Sequence, residues 1–440
     1  MYSMLFVRCL RKIPPMSKSN SSNQNQKFQT GKNHRHSYLK PSGGRTNLMR
    51  GPVYDSIFLR DSCTCELCVD PSTKQKTFQT SDIPADILAV KELGPSKTSV
   101  TLKWQNDLPG YPESHRTRFP ADTVNRSYAD WQSFQRVKQD ERVRWDQEKM
   151  LEDVKYIEFD DWMHDDHGLF AGLQMLDTHG LLFLKNVPPS EQSVEVIISR
   201  IGSLRDTFYG RTWDVKSKVD AKNVAYTHQF LGLHMDLLYM ANPPYLQLLH
   251  SLHAKAPGGE SIFSDSLLAA DTIRNTDYAS FRVLKNLPVL HHYKNDNQHY
   301  RFERPTFEMR SLQGLGNVRG ASGKYARNMM DYVNWSPPFQ GPFIFPNGDK
   351  KFREYHKAAC MFSDLVNSES AIFEKRLEEG ECVIFNNRRV LHARRAFDPS
   401  KGSRWLKGAY VDEDVFRSRL RVLTEKYDPH GALQNSFFLR

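Results

Sequence analysis

The sequence predicts a mainly β protein with flanking helices: an antiparallel sandwich or jelly roll from about residue 155 onward, preceded by a small β-rich module. Three observations carry this expectation. Strand-type runs recur along the second part of the chain (GLLFLKNV, NVAYT, YLQLLHSL, CVIF and RWLKGAYV), rich in leucine, β-branched and aromatic residues and separated by turns. They do not alternate regularly with helical stretches, as the strands of a doubly wound parallel sheet would. At 440 residues the chain also exceeds the usual single-domain size.

Taken in order, residues 1–50 lack hydrophobic periodicity and are rich in Ser, Asn, Gln and Lys, so they read as an unstructured leader. Its start, MYSMLFVRCLRKIPPMSKSN, is basic, Ser-rich and free of acid, the composition of a mitochondrial presequence. A plain tail on a cytoplasmic protein is the other reading. Residues 51–125 form the small β-rich module, marked by alternation in SVTLKW (Ser99 to Trp104). Residues 126–154 are highly charged and spaced like an exposed helix, and are expected to connect the modules. Residues 155–440 hold the larger domain, with EVIISRIGSL and REYHKAACMFSDLVN as helices outside its sheets.

Charge excludes one class of function. The formal net charge is +10, but residues 1–54 contain ten Lys or Arg and no Asp or Glu, leaving 51 basic against 51 acidic residues in the body. A neutral body lacks the basic footprint of a nucleic-acid binder. No apolar run approaches the ~18 residues of a membrane span, so no membrane partner is expected.

The six cysteines do not form a disulfide framework: Cys63, Cys65 and Cys68 are packed together as C-x-C-x-x-C, while Cys9, Cys360 and Cys382 are scattered. A tight thiolate cluster points to Zn2+, which needs a fourth ligand, and His115 in YPESHRTRF is the best candidate. Four protein ligands would leave no open position, making this zinc structural, the support of a module too small for a large core. An iron–sulfur cluster would need a fourth thiolate, and Cys360 and Cys382 fall in the other domain.

A second metal site is suggested by GLHMDLLY, where His234 and Asp236 sit two apart and would share a face of an extended segment. His392 in NNRRVLHARRAF, 156 residues beyond Asp236, would supply the third ligand. Two histidines and one carboxylate on one face of an octahedron leave three positions open, as Fe(II) needs to take a chelating cosubstrate and then O2. H-x-D alone is a weak sign among 16 histidines. It is strengthened by Arg404, twelve residues past His392, whose guanidinium fork matches the distal carboxylate of 2-oxoglutarate. His228, His250, His253, His291 and His292 have no comparable partners and read as structural or surface residues.

The segment FYGRTWDVKSKVDAKNVAYTHQFLGLHMDLLYMANPPYLQLLHSL resembles γ-butyrobetaine dioxygenase and its relatives in the taurine dioxygenase group. So do GGESIFSD, VIFNNRRVLHARRAF and SRWLKGAYVDEDVFRSRLRVL further on. The likeness runs from about Gly51 to Tyr427. It implies a double-stranded β-helix (jelly roll) catalytic domain with Fe(II) at His234, Asp236 and His392. It also implies 2-oxoglutarate held by Arg404 and Asn223, with Ser261 nearby, and O2 as co-reactant with ascorbate as reductant. The zinc set Cys63, Cys65, Cys68 and His115, and a homodimer, belong to the same implication.

On that resemblance Tyr209, Trp213, Tyr226 and Tyr410 match a trimethylammonium cage, in which aromatic faces box a quaternary cation that has no N–H to donate. The bland reading of the same residues is core aromatics. γ-Butyrobetaine, converted to L-carnitine, is the expected substrate, with trimethyllysine dioxygenase as the rival within the family. A zinc scaffold contacting RNA through the basic leader is the rival from another class. Two departures bear on substrate choice: Ser336, Pro337 and Pro338 stand where the family has amide side chains, and Tyr245 where it has Gly.

Overall fold

The alternation in SVTLKWQ is realised as a strand in which every second side chain, Val100, Leu102 and Trp104, is buried. The computed structural model describes residues 45–47, 53–92, 99–120, 142–216, 231–309, 330–343 and 349–428, and the chain divides into units 1–125 and 126–440. In the first unit β1 (Arg45–Asn47) pairs with β2 (Val53–Asp55). There β3 (Leu88–Glu92), β4 (Ser99–Gln105) and β5 (Arg116–Pro120) form an antiparallel sheet. Leu59, Ile83, Ile87 and Leu108 join Val100, Leu102 and Trp104 in a small core.

The second unit opens with β6 (Tyr156–Glu158), β7 (Leu181–Lys185), β8 (Thr212–Lys216), β9 (Leu231–His234), β10 (Leu246–Ala254) and β11 (Ser261–Asp265). Two strand pairs follow, β12 (Pro288–Asn295) with β13 (Gln298–Pro305) and β14 (Phe307–Met309) with β15 (Met330–Val333). It closes with β16 (Phe373–Lys375), β17 (Cys382–Asn386), β18 (Val390–Arg394) and β19 (Arg404–Val411). One sheet has the order β6-β7-β17-β10-β19-β8 and the other β16-β11-β18-β9. Every pairing is antiparallel except β6 with β7.

The two sheets face each other. Phe183 and Phe385 of the first lie 6.1 and 5.6 Å, ring to ring, from Phe263 of the second, in edge-to-face geometry. Both β17 and β18 are buried at every position, which is why CVIF reads as a continuous apolar run. Register decides what enters the space between. On the larger sheet Gln247 stands opposite both Phe385 and Tyr410, and Leu249 opposite Val383 and Gly408. On the smaller sheet His392 stands opposite Phe263, and Arg394 opposite Ser261.

Helices lie at Asp166–Thr178, Ser193–Ser199, Asp349–Val366 and Glu413–Tyr427. The first is started by Asp165, whose carboxylate accepts from the His167 and Gly168 amides. Of the charged stretch expected to be a connecting helix, residues 142–154 are described. Among its described residues only Gln147–Asp153 is helical, capped by Asp146. Trp145 and Met150 are buried, and the Trp145 indole donates to the His179 carbonyl at 2.7 Å. Two apolar anchors hold this charged segment in the core of the second unit. The run NVAYT lies outside the described residues.

Candidate active site

His234 and His392 are directly paired residues of β9 and β18, so the antiparallel ladder itself brings the imidazoles together, centroids 4.2 Å apart. Asp236 is placed by other means than the strand alternation expected from the sequence. β9 ends at His234, Asp236 lies in the turn that follows, and Leu237 has φ +61. That turn is held by Asn387, whose Oδ1 accepts from the Asp236 amide at 2.8 Å and whose Nδ2 donates to the carbonyls of Asp236 and Pro244, both at 3.1 Å.

The outcome is a compact donor set. Asp236 Oδ1 lies 3.3 Å from His234 Nε2 and 3.9 Å from His392 Nε2, and one donor atom from each residue falls within 4.8 Å of the others. His234 Nδ1 donates to the Gly232 carbonyl at 2.9 Å, which fixes the tautomer and leaves the Nε2 lone pair for an ion. Burial, with His234 adding to it, pushes His392 down to about 3, so its imidazole is neutral. Burial alone would raise the Asp236 carboxyl, yet the two imidazoles and the Tyr410 hydroxyl hold it well below the usual carboxylate range. Two imidazoles and one carboxylate from three protein groups could hold a metal ion and leave coordination positions to spare.

Toward the other end of β19, Arg404 and Arg394 approach each other. Burial and the Arg394 charge bring Arg404 down to about 9, and burial brings Arg394 to about 10. Gly259 (φ +72) gives the Arg404 stem its room, since a Cβ there would come within 2.9 Å of its Cδ. Among the described residues no carboxylate hydrogen-bonds Arg404, so its donor fork is available to an anion. Ser261 is buried opposite Arg394. Asn223 lies outside the described residues.

Of the aromatic residues singled out, Trp213 and Tyr410 stack with centroids 3.9 Å apart at 25°. Gly408 makes this possible: a Cβ there would come within 2.6 Å of the indole Cζ2, so the ring lies directly on the backbone of β19. The Tyr410 hydroxyl donates to Asp236 Oδ2 at 2.7 Å. Tyr209 joins a second aromatic group, its hydroxyl 3.3 Å from that of Tyr239. Phe208 and Tyr293 extend that group, with Tyr293 stacked on Tyr239 at 5.4 Å. Tyr226 lies outside the described residues. Tyr245, which replaces an expected Gly, is turned to other work: its hydroxyl accepts from Arg417 at 2.8 Å and its ring packs on Phe416.

Several contributing residues escaped the sequence reading. Asn386 ends β17 and Asn387, Arg388 and Arg389 form the turn to β18, and all four are buried. Arg389 forks onto both oxygens of Asp265 at 2.9 and 2.8 Å, and Arg388 donates to Asn334 at 2.9 Å. The available signal was a run of four polar residues directly after the apolar run CVIF.

In the first unit Cys63, Cys65, Cys68 and His115 converge. His115 Nε2 lies 3.6, 3.4 and 3.4 Å from the three sulfurs. A tetrahedral zinc with Zn–S about 2.3 Å and Zn–N about 2.0 Å requires S···N edges of about 3.5 Å. Asp107, missed from sequence, accepts from His115 Nδ1 at 2.6 Å and from Arg60 Nε at 2.6 Å, and Arg60 also reaches the Cys68 sulfur at 3.2 Å. That carboxylate orients the imidazole so that Nε2 faces the thiols.

Comparison with known proteins agrees with this chemistry. Residues 149–410 match the family model described as taurine catabolism dioxygenase TauD, TfdA family. A dioxygenase of Strobilurus tenacellus is 39% identical over 84% of this chain and 85% of its own. A γ-butyrobetaine dioxygenase of a Pseudomonas species (strain AK-1) is 30% identical over 84% and 90%. A mitochondrial trimethyllysine dioxygenase of Mus musculus is 26% identical over 84% and 82%. The chain belongs to the TauD/TfdA family and is an Fe(II)- and 2-oxoglutarate-dependent dioxygenase.

Proposed function

We propose that this dioxygenase hydroxylates a small trimethylammonium acid, with γ-butyrobetaine, giving L-carnitine, as the first candidate. The observation that carries the reading is the Trp213–Tyr410 stack, anchored to Asp236 by the Tyr410 hydroxyl, which sets aromatic surface beside the metal-ligand cluster. Aromatic faces attract a quaternary ammonium, worth about 2 kcal/mol or more once water is excluded. The relatives named for γ-butyrobetaine and trimethyllysine support the class of substrate.

In this reading His234, Asp236 and His392 hold iron, and Arg404, with Asn223 and Ser261, receives 2-oxoglutarate. Iron, when bound, supplies oxidative decarboxylation of 2-oxoglutarate to succinate and CO2, with the second oxygen atom entering a substrate C–H bond. The protein orients. The Gly232 carbonyl and the Asn387 amide fix two of the ligands, Arg404 neutralises the distal carboxylate, and Tyr209, Trp213, Tyr226 and Tyr410 hold the cationic end so that one carbon faces the metal. The jelly-roll reading of the two facing sheets fits this placement of the site between them.

The first unit is proposed as a structural zinc module, on the strength of its tetrahedral edge lengths and the Asp107 support. The basic leader is proposed as a mitochondrial presequence, in keeping with its composition. Asn334 is committed to Arg388 and to the Pro305 carbonyl, and the buried Ser336 hydroxyl has no partner among the described residues. That region therefore favours a second reading, a trimethylammonium acid whose anionic end differs from that of γ-butyrobetaine. Incubation with γ-butyrobetaine and with trimethyllysine, reading substrate-dependent succinate, separates these. Succinate formation stimulated by neither removes both γ-butyrobetaine and trimethyllysine as substrates.

A further inference from the structure

We infer that Tyr410 is a positioning residue for the metal carboxylate: its hydroxyl holds Oδ2 of Asp236 so that only Oδ1 is offered to the ion. This rests on the reading that His234, Asp236 and His392 hold iron.

The two oxygens of Asp236 have different surroundings. Oδ1 faces both imidazoles, at 3.3 and 3.9 Å from their Nε2 atoms. Oδ2 receives the Tyr410 O–H at 2.7 Å, a distance typical of a charge-assisted bond. A carboxylate with one oxygen so engaged binds an ion through the other, and each position it does not occupy stays open for cosubstrate and O2.

The phenol cannot swing away. Its ring is pinned by the Trp213 stack on one face, and its residue is 2% exposed. Its strand is fixed on both sides, by Gln247 across the ladder and by the Arg205 amide donating to the Tyr410 carbonyl at 2.9 Å. The Asp236 backbone is fixed independently by Asn387. Donor and acceptor are thus each held by a separate part of the fold. Since the same ring belongs to the proposed cage, one side chain serves the cation subsite with its face and the metal ligand with its hydroxyl.

The test is Tyr410→Phe, which keeps the ring and its stack and removes only the donor. Full-length protein is titrated with Co(II), whose visible absorption reports coordination number. Subtracting the His234→Ala spectrum removes any Co(II) held by the cysteine cluster. In wild-type protein a His234-dependent band is expected. In Tyr410→Phe the released oxygen joins the metal, so the band weakens as coordination number rises, and Co(II) affinity falls about 10-fold or more. A His234-dependent band and affinity unchanged by Tyr410→Phe overturn the positioning role alone. A wild-type protein with no His234-dependent band overturns the metal reading and the inference with it. Tyr410→Leu supplies the contrast: it should lose both γ-butyrobetaine binding and the band shape, and loss of the band only in Tyr410→Leu counts against the hydroxyl.

Discussion

Asn387 grips the peptide of Asp236 at both ends, accepting from its amide at 2.8 Å and donating to its carbonyl at 3.1 Å. The turn after β9 carries a non-glycine residue at positive φ, Leu237, so it needs such a brace to keep the carboxylate aimed. Asn387→Ala leaves an amide and two carbonyls without their partner, and stability should drop by about 2–3 kcal/mol in denaturant unfolding. Metal affinity should fall along with it. A variant that loses stability yet binds Co(II) as well as wild type would mean the clamp serves folding only.

Removing a metal ligand is the sharper intervention. His234→Ala, Asp236→Ala and His392→Ala should each cut substrate-coupled succinate formation at least about 100-fold, because losing a ligand from a three-residue set leaves too few to retain the ion. Chromatographic assay of succinate checks this, and turnover surviving any of the three refutes the cluster as the iron site.

Arg404→Met should raise the KM for 2-oxoglutarate by about 10- to 100-fold, the equivalent of one hydrogen-bonded charge pair. Arg404→Lys keeps the charge without the fork and should recover only part of it. Equal KM values for wild type and the Met variant would assign the distal carboxylate to another residue.

Zinc content gives a test in the first unit. One zinc per chain is expected by elemental analysis, with His115→Ala or Cys65→Ser abolishing it and exposing residues 53–120 to limited proteolysis. Asp107→Asn should loosen the metal about 10- to 100-fold while preserving all four ligands. A protease-resistant, zinc-free first unit would show that its small core suffices.

Acid should destabilise the second unit through His250. It is fully buried on β10, its ring nitrogens have no hydrogen-bond partner among the described residues, and burial lowers it to about 4. Its unfolded value is about 6.5, so the unfolded chain takes up the proton first as pH falls. Stability contributed by the neutral ring is complete above about pH 6.5 and declines toward pH 4, by about 3 kcal/mol in total. His250→Leu should flatten that part of the unfolding-versus-pH curve. An unchanged slope would place the acid sensitivity elsewhere, His291 being the next buried imidazole lowered to about 4.

Much of this was visible in the sequence because it depends on local period and residue chemistry. The strands β7, β10, β17 and β19 follow their apolar runs, and H-x-D with a distant His392 named donors that the ladder brings together. What was not visible depends on polar residues used against type. A run such as NNRR reads as a solvated turn by composition, yet its burial is set by Asp265, Asn334 and the Asp236 peptide, all remote in sequence. Asp107 and Arg60 were equally hidden, since nothing in single-residue chemistry says which carboxylate will orient His115. Asp236 itself was expected on a strand and sits two residues beyond its end.

The indole of Trp213 rests where residue 408 has no side chain. Even one methyl at that position would collide with the ring, so a side chain at 408 fits only where the indole is cut back or displaced, and the reach of the aromatic surface beside Asp236 is set by a residue that has no side chain of its own.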